Sequence, residues 1–160
     1  MIVVADTSVV LNLCCVRQEK LLSSLFGRVL VPAEVASEFR RLAGADARFT
    51  GLTLPSWIEV LNAPVPPAEV TAANLDIGET AAIALCLGQS ADALLIDESL
   101  GRAVAARLGL RTIGILGVLL DARSRGLIQR VAPVLDDLER TAGFWVAPSL
   151  RVRVLQLAGE

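Results

Sequence analysis

Histidine is absent from this sequence of 160 residues, and Lys20 is the only lysine. Without histidine there is no Ser-His-Asp or Cys-His triad, no H-E-x-x-H zinc site and no histidine general base. An enzyme built from this chain must therefore work with carboxylates, hydroxyls, cysteines, arginines or the single lysine.

Cysteine is also scarce, with only Cys14, Cys15 and Cys86 in the chain. An odd number without spaced pairs is not a disulfide framework, and no C-x-x-C motif is present to hold zinc or run redox chemistry. All three lie in apolar stretches, so we expect them to be small residues of a buried core.

Neither strong charge nor a long hydrophobic run is present. The net charge of −2 excludes a nucleic-acid binder held by bulk charge, and an apolar content of 54% excludes global disorder. The longest apolar runs, 81–87 and 113–120, are too short to cross a bilayer. The N-terminus lacks a basic start, and Asp6 interrupts its apolar stretch, which argues against a secretion signal. We expect a cytoplasmic protein that does not contact membranes.

Short aliphatic runs alternate with helical patterns along the chain. Runs that are apolar at nearly every position are typical of parallel strands buried on both faces; they occupy 2–5, 29–31, 93–96 and 111–115. The helical patterns between them each precede a glycine, a common helix stop; they occupy 9–26, 33–43, 78–87, 99–108 and 117–125. This order predicts an α/β fold with right-handed crossovers.

Two segments depart from that alternation. Residues 45–74 carry four prolines, so we predict a long loop there, with a short extra strand at 57–60. Helices are predicted at 133–141 and 148–158. The apolar side chains of the tail should complete the core: Leu138, Phe144, Trp145, Val152, Val154 and Leu155. A surface for a partner is the other interpretation of this tail. We expect one domain over 1–160, with a core at about 1–130 and a helical tail at about 131–160.

Acidic residues fall where a binding crevice is expected. Asp6 and Asp97 directly follow predicted strands, and ligands of open α/β sheets bind beyond the carboxyl ends of the strands. Glu34 and Glu38 lie one turn apart on the helix 33–43, so they share a face. Glu79 lies in the first turn of the helix 78–87.

Each of these acids also has a purely structural explanation. Asp6 or Asp97 could cap a helix, Asp76 and Glu79 have the spacing of a capping box, and the glutamates of 33–43 could form a solvated face. Together, however, several carboxylates in one crevice would repel one another unless a cation neutralised them. Mg²⁺ and Mn²⁺ suit such an all-oxygen site, and they support phosphodiester hydrolysis without histidine.

Five segments together resemble a known family: IVVADTS, VPAEVASEF, LDIGETAAIALCLG, ADALLIDESLGRAVAARLGL and TIGILGVLLDARSRGLI. They are similar to PIN-domain proteins, and among these to the small prokaryotic subfamily related to VapC toxins, from about residue 1 to 130. The resemblance implies a three-layer α/β/α sandwich with a central parallel sheet. It further implies an endoribonuclease that uses Mg²⁺ or Mn²⁺, forms a homodimer, and acts as the toxin paired with a small antitoxin protein.

The same resemblance implies four catalytic, metal-binding acids: Asp6, Glu38, Glu79 and Asp97. Glu38 is preferred to Glu34 because its V-x-x-E-aromatic context matches the family's second acid. Two positions depart from the family pattern, since Leu95 stands where many relatives have threonine and Ile115 where members of the subfamily often have a hydroxyl residue. Both departures remove side-chain polar contacts near the crevice.

Other function classes fit the residues less well. A phosphate-accepting receiver domain needs a pair of acids near the first strand and a late lysine, and a dehalogenase-type phosphatase needs D-x-D where this chain has Ser8. No glycine-rich nucleotide loop is present. The main alternative is an inactive PIN fold that binds RNA or protein. Four arginines are candidate phosphate contacts or solvated surface residues: Arg40, Arg41, Arg48 and Arg102.

Overall fold

The computed structural model describes residues 1–160 and contains one five-stranded sheet. The strands are β1 (Ile2–Ala5), β2 (Arg28–Pro32), β3 (Glu59–Leu61), β4 (Ala93–Leu95) and β5 (Thr112–Ile113). They are ordered β3-β2-β1-β4-β5, and every neighbouring pair is parallel. The order places β1 at the centre, where the chain crosses from one half of the sheet to the other.

Helices connect the strands and cover both faces of the sheet. They are α1 (Thr7–Cys15), α2 (Lys20–Phe26), α3 (Ala33–Ala45), α4 (Ala68–Ala72), α5 (Ile77–Gly88), α6 (Ser99–Arg107), α7 (Ile115–Ser124), α8 (Ala132–Asp137) and α9 (Pro148–Leu157). A 3₁₀ turn at Ala47–Phe49 and a π-helical segment at Leu138–Ala142 complete the elements. None of the helices combines the length and the apolarity needed to cross a bilayer.

The core consists of two clusters, one on each face of the sheet. Along β1, Val3 and Ala5 point into the larger cluster and Val4 into the smaller one, as the two-residue period of a strand requires. Helices α5 and α6 cover the smaller cluster, and α1, α2, α3 and α7 cover the larger one. The predicted three-layer α/β/α sandwich with a central parallel sheet is confirmed.

Several predicted boundaries were wrong. The pattern 9–26 forms two helices, separated where Arg17 adopts a φ of 59°. The periodicity does not reveal this break because both helices bury apolar residues in the same cluster. The run 111–115 is shorter as a strand, since Ile115 already begins α7. Helix α5 includes Gly88, where a Cβ would lie 2.9 Å from the Pro64 side chain, so close packing rather than a helix stop explains this glycine.

The segment 45–74 is more ordered than predicted. It contains the 3₁₀ turn, β3 and α4, and β3 pairs with β2 two residues later than the predicted extra strand would start. Its prolines precede or follow these elements instead of preventing them.

The tail contributes to the larger cluster only in part. Leu138 and Val154 are buried there, and Phe144 and Leu155 are partly buried against it. Trp145 and Val152 were also expected to complete the core, but they are 76% and 55% exposed. Among the cysteines, Cys14 and Cys86 are buried and Cys15 is partly exposed, and all three are free thiols.

Candidate functional site

Two aspartates extend from the carboxyl edge of adjacent strands. Ala5 of β1 and Leu95 of β4 are register partners, so Asp6 lies one residue and Asp97 two residues beyond the paired positions. Asp6 is only 5% exposed, while Asp97 is partly exposed. Asp6 occupies the N-cap position of α1, but its side chain makes no capping hydrogen bond. The structural explanation of Asp6 as a helix cap is therefore not supported.

Both aspartates line a cavity of about 450 Å³. Its wall includes the carboxylates of Asp6, Glu38, Asp76, Glu79, Asp97 and Glu98. Arg48 is the one cationic side chain in this wall. Its guanidinium is already paired with Asp46 at 2.7 Å and donates to the carbonyl oxygen of Ala142. We call this space the acidic cavity.

Glu38 reaches the acidic cavity from α3. Its carboxylate accepts a 3.0 Å hydrogen bond from the hydroxyl of Thr7, at the start of α1. It also packs against the start of α5, where a Cβ on Gly78 would lie 2.8 Å from the Glu38 carboxylate. Glu34 is exposed and does not line this cavity. The two glutamates of α3 therefore have different surroundings although they share a helix face.

Glu79 and Asp76 form a capping box at the start of α5. The Asp76 carboxylate accepts a 2.7 Å hydrogen bond from the Glu79 backbone N–H, and the Glu79 carboxylate accepts a 3.4 Å bond from the Asp76 backbone N–H. The predicted capping-box role is thus observed. It does not exclude a second role, because Glu79 also lines the acidic cavity, where its side chain is nearly buried.

Asp97 is oriented by the start of α7. The backbone N–H of Ile115 donates a 2.9 Å hydrogen bond to Asp97 Oδ1. A backbone donor is thus present at Ile115 even though the hydroxyl side chain common in the resembling subfamily is missing. Asp97 Oδ2 is buried and has no hydrogen-bond partner. A buried, unpartnered carboxylate oxygen is unfavourable in itself, which favours a ligand at this position.

Burial and mutual repulsion disfavour the charged forms of these acids. Burial, together with the charges of Glu79, Asp76 and Glu38, raises the pKa of Asp6 to about 7, although the backbone N–H of Thr7 lowers it in part. Burial and the charge of Asp76 also raise the pKa of Glu79.

The pKa of Asp97 is also raised, although two neighbouring groups oppose the rise. Burial raises the pKa of its carboxyl, while the Ile115 N–H and the charge of Arg102 lower it. Three acids with raised pKa values in one cavity indicate a site that a cation would stabilise.

A family model described as a PIN domain matches residues 2–160. The chain belongs to the PIN-domain family. Searches among curated proteins and among solved structures return no match. PIN domains are generally nucleases, and those nucleases generally use divalent metal ions.

The acidic cavity of this PIN domain has the donor chemistry for such an ion. Carboxylate oxygens are the ligands that Mg²⁺ and Mn²⁺ prefer, and the free Oδ2 of Asp97 supplies an acceptor that no protein donor occupies. No three potential metal-ligating side chains are close enough to enclose an ion as they stand. The fit therefore rests on donor chemistry and charge, without a preformed coordination shell.

The four candidate arginines are dispersed. Arg48 lines the acidic cavity, Arg102 lines a neighbouring cavity beside Asp97, and Arg40 and Arg41 are exposed on α3. Sequence reasoning did not identify Thr7 or Glu98 as cavity residues. Thr7 directly follows Asp6 in the D-T-S motif, and this position could have predicted that Thr7 lines the same cavity. Glu98 is likewise adjacent to Asp97.

Proposed function

We propose that this PIN domain is an endoribonuclease that hydrolyses phosphodiester bonds of RNA with Mg²⁺ or Mn²⁺. The observation that carries the proposal is the set of carboxylates lining one cavity at the carboxyl edge of the parallel sheet. Acids with raised pKa values in a cleft are typical of a functional site. We further propose that residues 1–160 act as one domain, since the tail shares the larger core cluster with the sheet.

We assign the metal-binding and catalytic roles to Asp6, Glu38, Glu79 and Asp97. The chemistry that divalent ions supply, when bound, is activation of water and stabilisation of the oxygen that leaves the phosphodiester. The chain's own contribution is to hold these four carboxylates in place within the cavity. Asp76 and Glu98 add negative charge at the same cavity.

Neighbouring groups orient the four acids. The Thr7 hydroxyl fixes one oxygen of Glu38, the Ile115 N–H fixes one oxygen of Asp97, and the Asp76 N–H contacts Glu79. Each of these contacts uses one oxygen and leaves the other available to a ligand. Removing a group that hydrogen-bonds to a metal ligand commonly lowers metal affinity or activity by about 10- to 100-fold.

A cleavage assay tests the proposal directly. Purified protein should cut a labelled single-stranded RNA with Mg²⁺ or Mn²⁺ and should stop when EDTA is added. Asp6→Asn protein, prepared in parallel, should be inactive and thereby exclude a contaminating nuclease. Equal cleavage by the parent and by Asp6→Asn would contradict the assignment.

An inactive PIN fold that binds RNA or protein remains the second candidate. The observation that favours it is the loss of two side-chain polar contacts near the crevice, since Leu95 and Ile115 stand where relatives often have hydroxyl residues. The same cleavage assay distinguishes the two candidates, because an inactive fold would bind RNA without cutting it in any divalent metal.

We also propose that the protein is the toxin of a toxin–antitoxin pair, on the strength of its resemblance to the VapC-related subfamily. A small open reading frame beside its gene, whose product relieves growth arrest on co-expression, would support this. Failure of expression to slow growth would argue against it.

We propose a homodimer as the assembled form. From the sequence, the contact between copies is expected to include the helical segments 9–26 or 33–43. In the structure α1 and α2 bury most of their apolar side chains within the chain, and exposed apolar residues such as Val65, Ile77 and Val152 lie outside both segments. Sedimentation velocity at tens of micromolar should give the mass of a dimer, and a monomer there would overturn the proposal.

A further inference from the structure

Trp145 lies at the boundary between two cavities. It lines the acidic cavity and also a second cavity of about 890 Å³. Asp97 and Phe144 line both cavities as well, so the two spaces are adjacent along one surface. Trp145 is 76% exposed, although an indole in water forgoes a large gain in burial.

The backbone around Trp145 is anchored on both sides. Val146 is buried in the larger core cluster, and Phe144 is partly buried against it. The Phe144 N–H donates a 3.0 Å hydrogen bond to the carbonyl oxygen of Leu138. The exposed indole therefore extends from a fixed segment, as a binding platform requires.

The second cavity has a different charge from the first. Its wall includes Arg102, Arg111 and Arg125, against only two acids, Asp97 and Asp121. Arg125 pairs with Asp121 at 3.0 Å, while Arg111 takes part in no salt bridge or side-chain hydrogen bond. We call this space the arginine cavity. Guanidinium groups in the arginine cavity can bind the backbone phosphates of a nucleic-acid strand that extends from the acidic cavity.

We propose that Trp145 stacks on a base of single-stranded RNA whose backbone continues into the arginine cavity. This inference rests on the proposed function and adds the side chain that positions the RNA next to the scissile bond and the path that the strand takes from there. An indole can stack only on a base whose face is free, which excludes an intact duplex. RNA supplies both groups that this surface can bind, a base for Trp145 and a phosphate for Arg111.

Tryptophan fluorescence can test the stacking without any cleavage. The chain has two tryptophans, so a Trp57→Phe protein reports on Trp145 alone. In EDTA, a short oligoadenylate should quench this fluorescence saturably. A duplex of the same length and an abasic phosphodiester chain should leave it unchanged. Quenching by all three, or by none, would overturn the inference.

Binding measurements on protein that retains Trp57 give a second test that does not depend on the Trp57 change. By anisotropy in EDTA, Trp145→Ala should bind labelled oligoadenylate about 5- to 150-fold more weakly, the range for loss of one stacked base. Arg111→Ala should weaken binding of both oligoadenylate and the abasic chain. It should also reduce by about 1 the magnitude of the slope of log binding constant against log salt concentration. Arg107→Ala is the matched control, because Arg107 is exposed at the far end of α6 and lines neither cavity.

The outcomes separate this inference from the nuclease assignment. Stacking without cleavage in any metal would support the inference and contradict the nuclease. If the parent protein cleaves RNA and Trp145→Ala binds RNA as tightly as the parent does, the nuclease assignment is supported and the inference about Trp145 is overturned. Trp145 emission that changes with protein concentration but not with RNA would identify a contact between copies and would also overturn it.

Discussion

The backbone N–H of Asp6 donates a 2.9 Å hydrogen bond to the carbonyl oxygen of Leu95. This bond continues the parallel pairing of β1 and β4 by one residue, and it fixes the first aspartate against the strand that leads to Asp97. Two carboxylates distant in sequence are thereby held at one edge of the sheet. Their proximity follows from backbone pairing, so it does not depend on flexible side chains.

We expect Mg²⁺ or Mn²⁺ to raise the melting temperature of the protein. A ligand that binds only the folded state stabilises it by about 2.7 kcal/mol at 100 times its dissociation constant, or roughly 5 to 10 °C for a chain of this size. Thermal denaturation with and without millimolar metal measures the shift. Asp6→Asn should show a smaller shift, and an unchanged melting temperature of the parent at every metal concentration would contradict a metal site.

Asp6→Asn should abolish cleavage without destabilising the metal-free protein. The substitution keeps the shape of the side chain and removes a buried charge that burial and Glu79 disfavour. RNA cleavage and urea denaturation in EDTA, measured on the same preparation, check both parts. Retained activity with a loss of about 1 kcal/mol would instead identify Asp6 as a helix cap.

Glu38→Gln and Glu34→Gln form a matched pair on one helix face. Glu38→Gln should lower the cleavage rate by at least about 100-fold, since it changes a carboxylate in the acidic cavity. Glu34→Gln should remain within about 2-fold, as is usual for an exposed position. The rates are compared under single-turnover conditions. If Glu34→Gln were the inactive variant, the assignment of the second acid would be wrong by one helical turn.

The stability of the metal-free protein should fall as pH rises from about 4 to about 7. The pKa of Asp6 rises from 3.8 to about 7 on folding, so within this window the folded state binds more protons than the unfolded state. The contribution of Asp6 to the free energy of unfolding therefore decreases with pH, by about 4 kcal/mol at about 1.4 kcal/mol per pKa unit. Urea denaturation in EDTA across this range, with Asp6→Asn as the control, measures the slope. An equal slope in both proteins would assign the effect to other groups.

Most of the fold could be predicted from local sequence pattern. Fully apolar runs separated by helical patterns favour a covered parallel sheet, because only strands buried on both faces tolerate such runs. The same pattern places Asp6 and Asp97 at the carboxyl edge of the sheet, since each directly follows one of these apolar runs. The pattern missed the helix break at Arg17 and the order within 45–74, where the elements are short and their apolar signal is weak.

The sequence by itself determined the layered α/β fold and the residue types of the candidate site, because strand and helix periods are local properties of the chain. Only the tertiary structure decided that Glu38 rather than Glu34 meets Thr7, that the Ile115 N–H holds Asp97, and that Trp145 stays exposed. These relationships depend on how α1, α3, α7 and the tail pack against one another. Residues one turn apart share a helix face, so periodicity alone cannot distinguish which of them reaches a cavity built by distant segments.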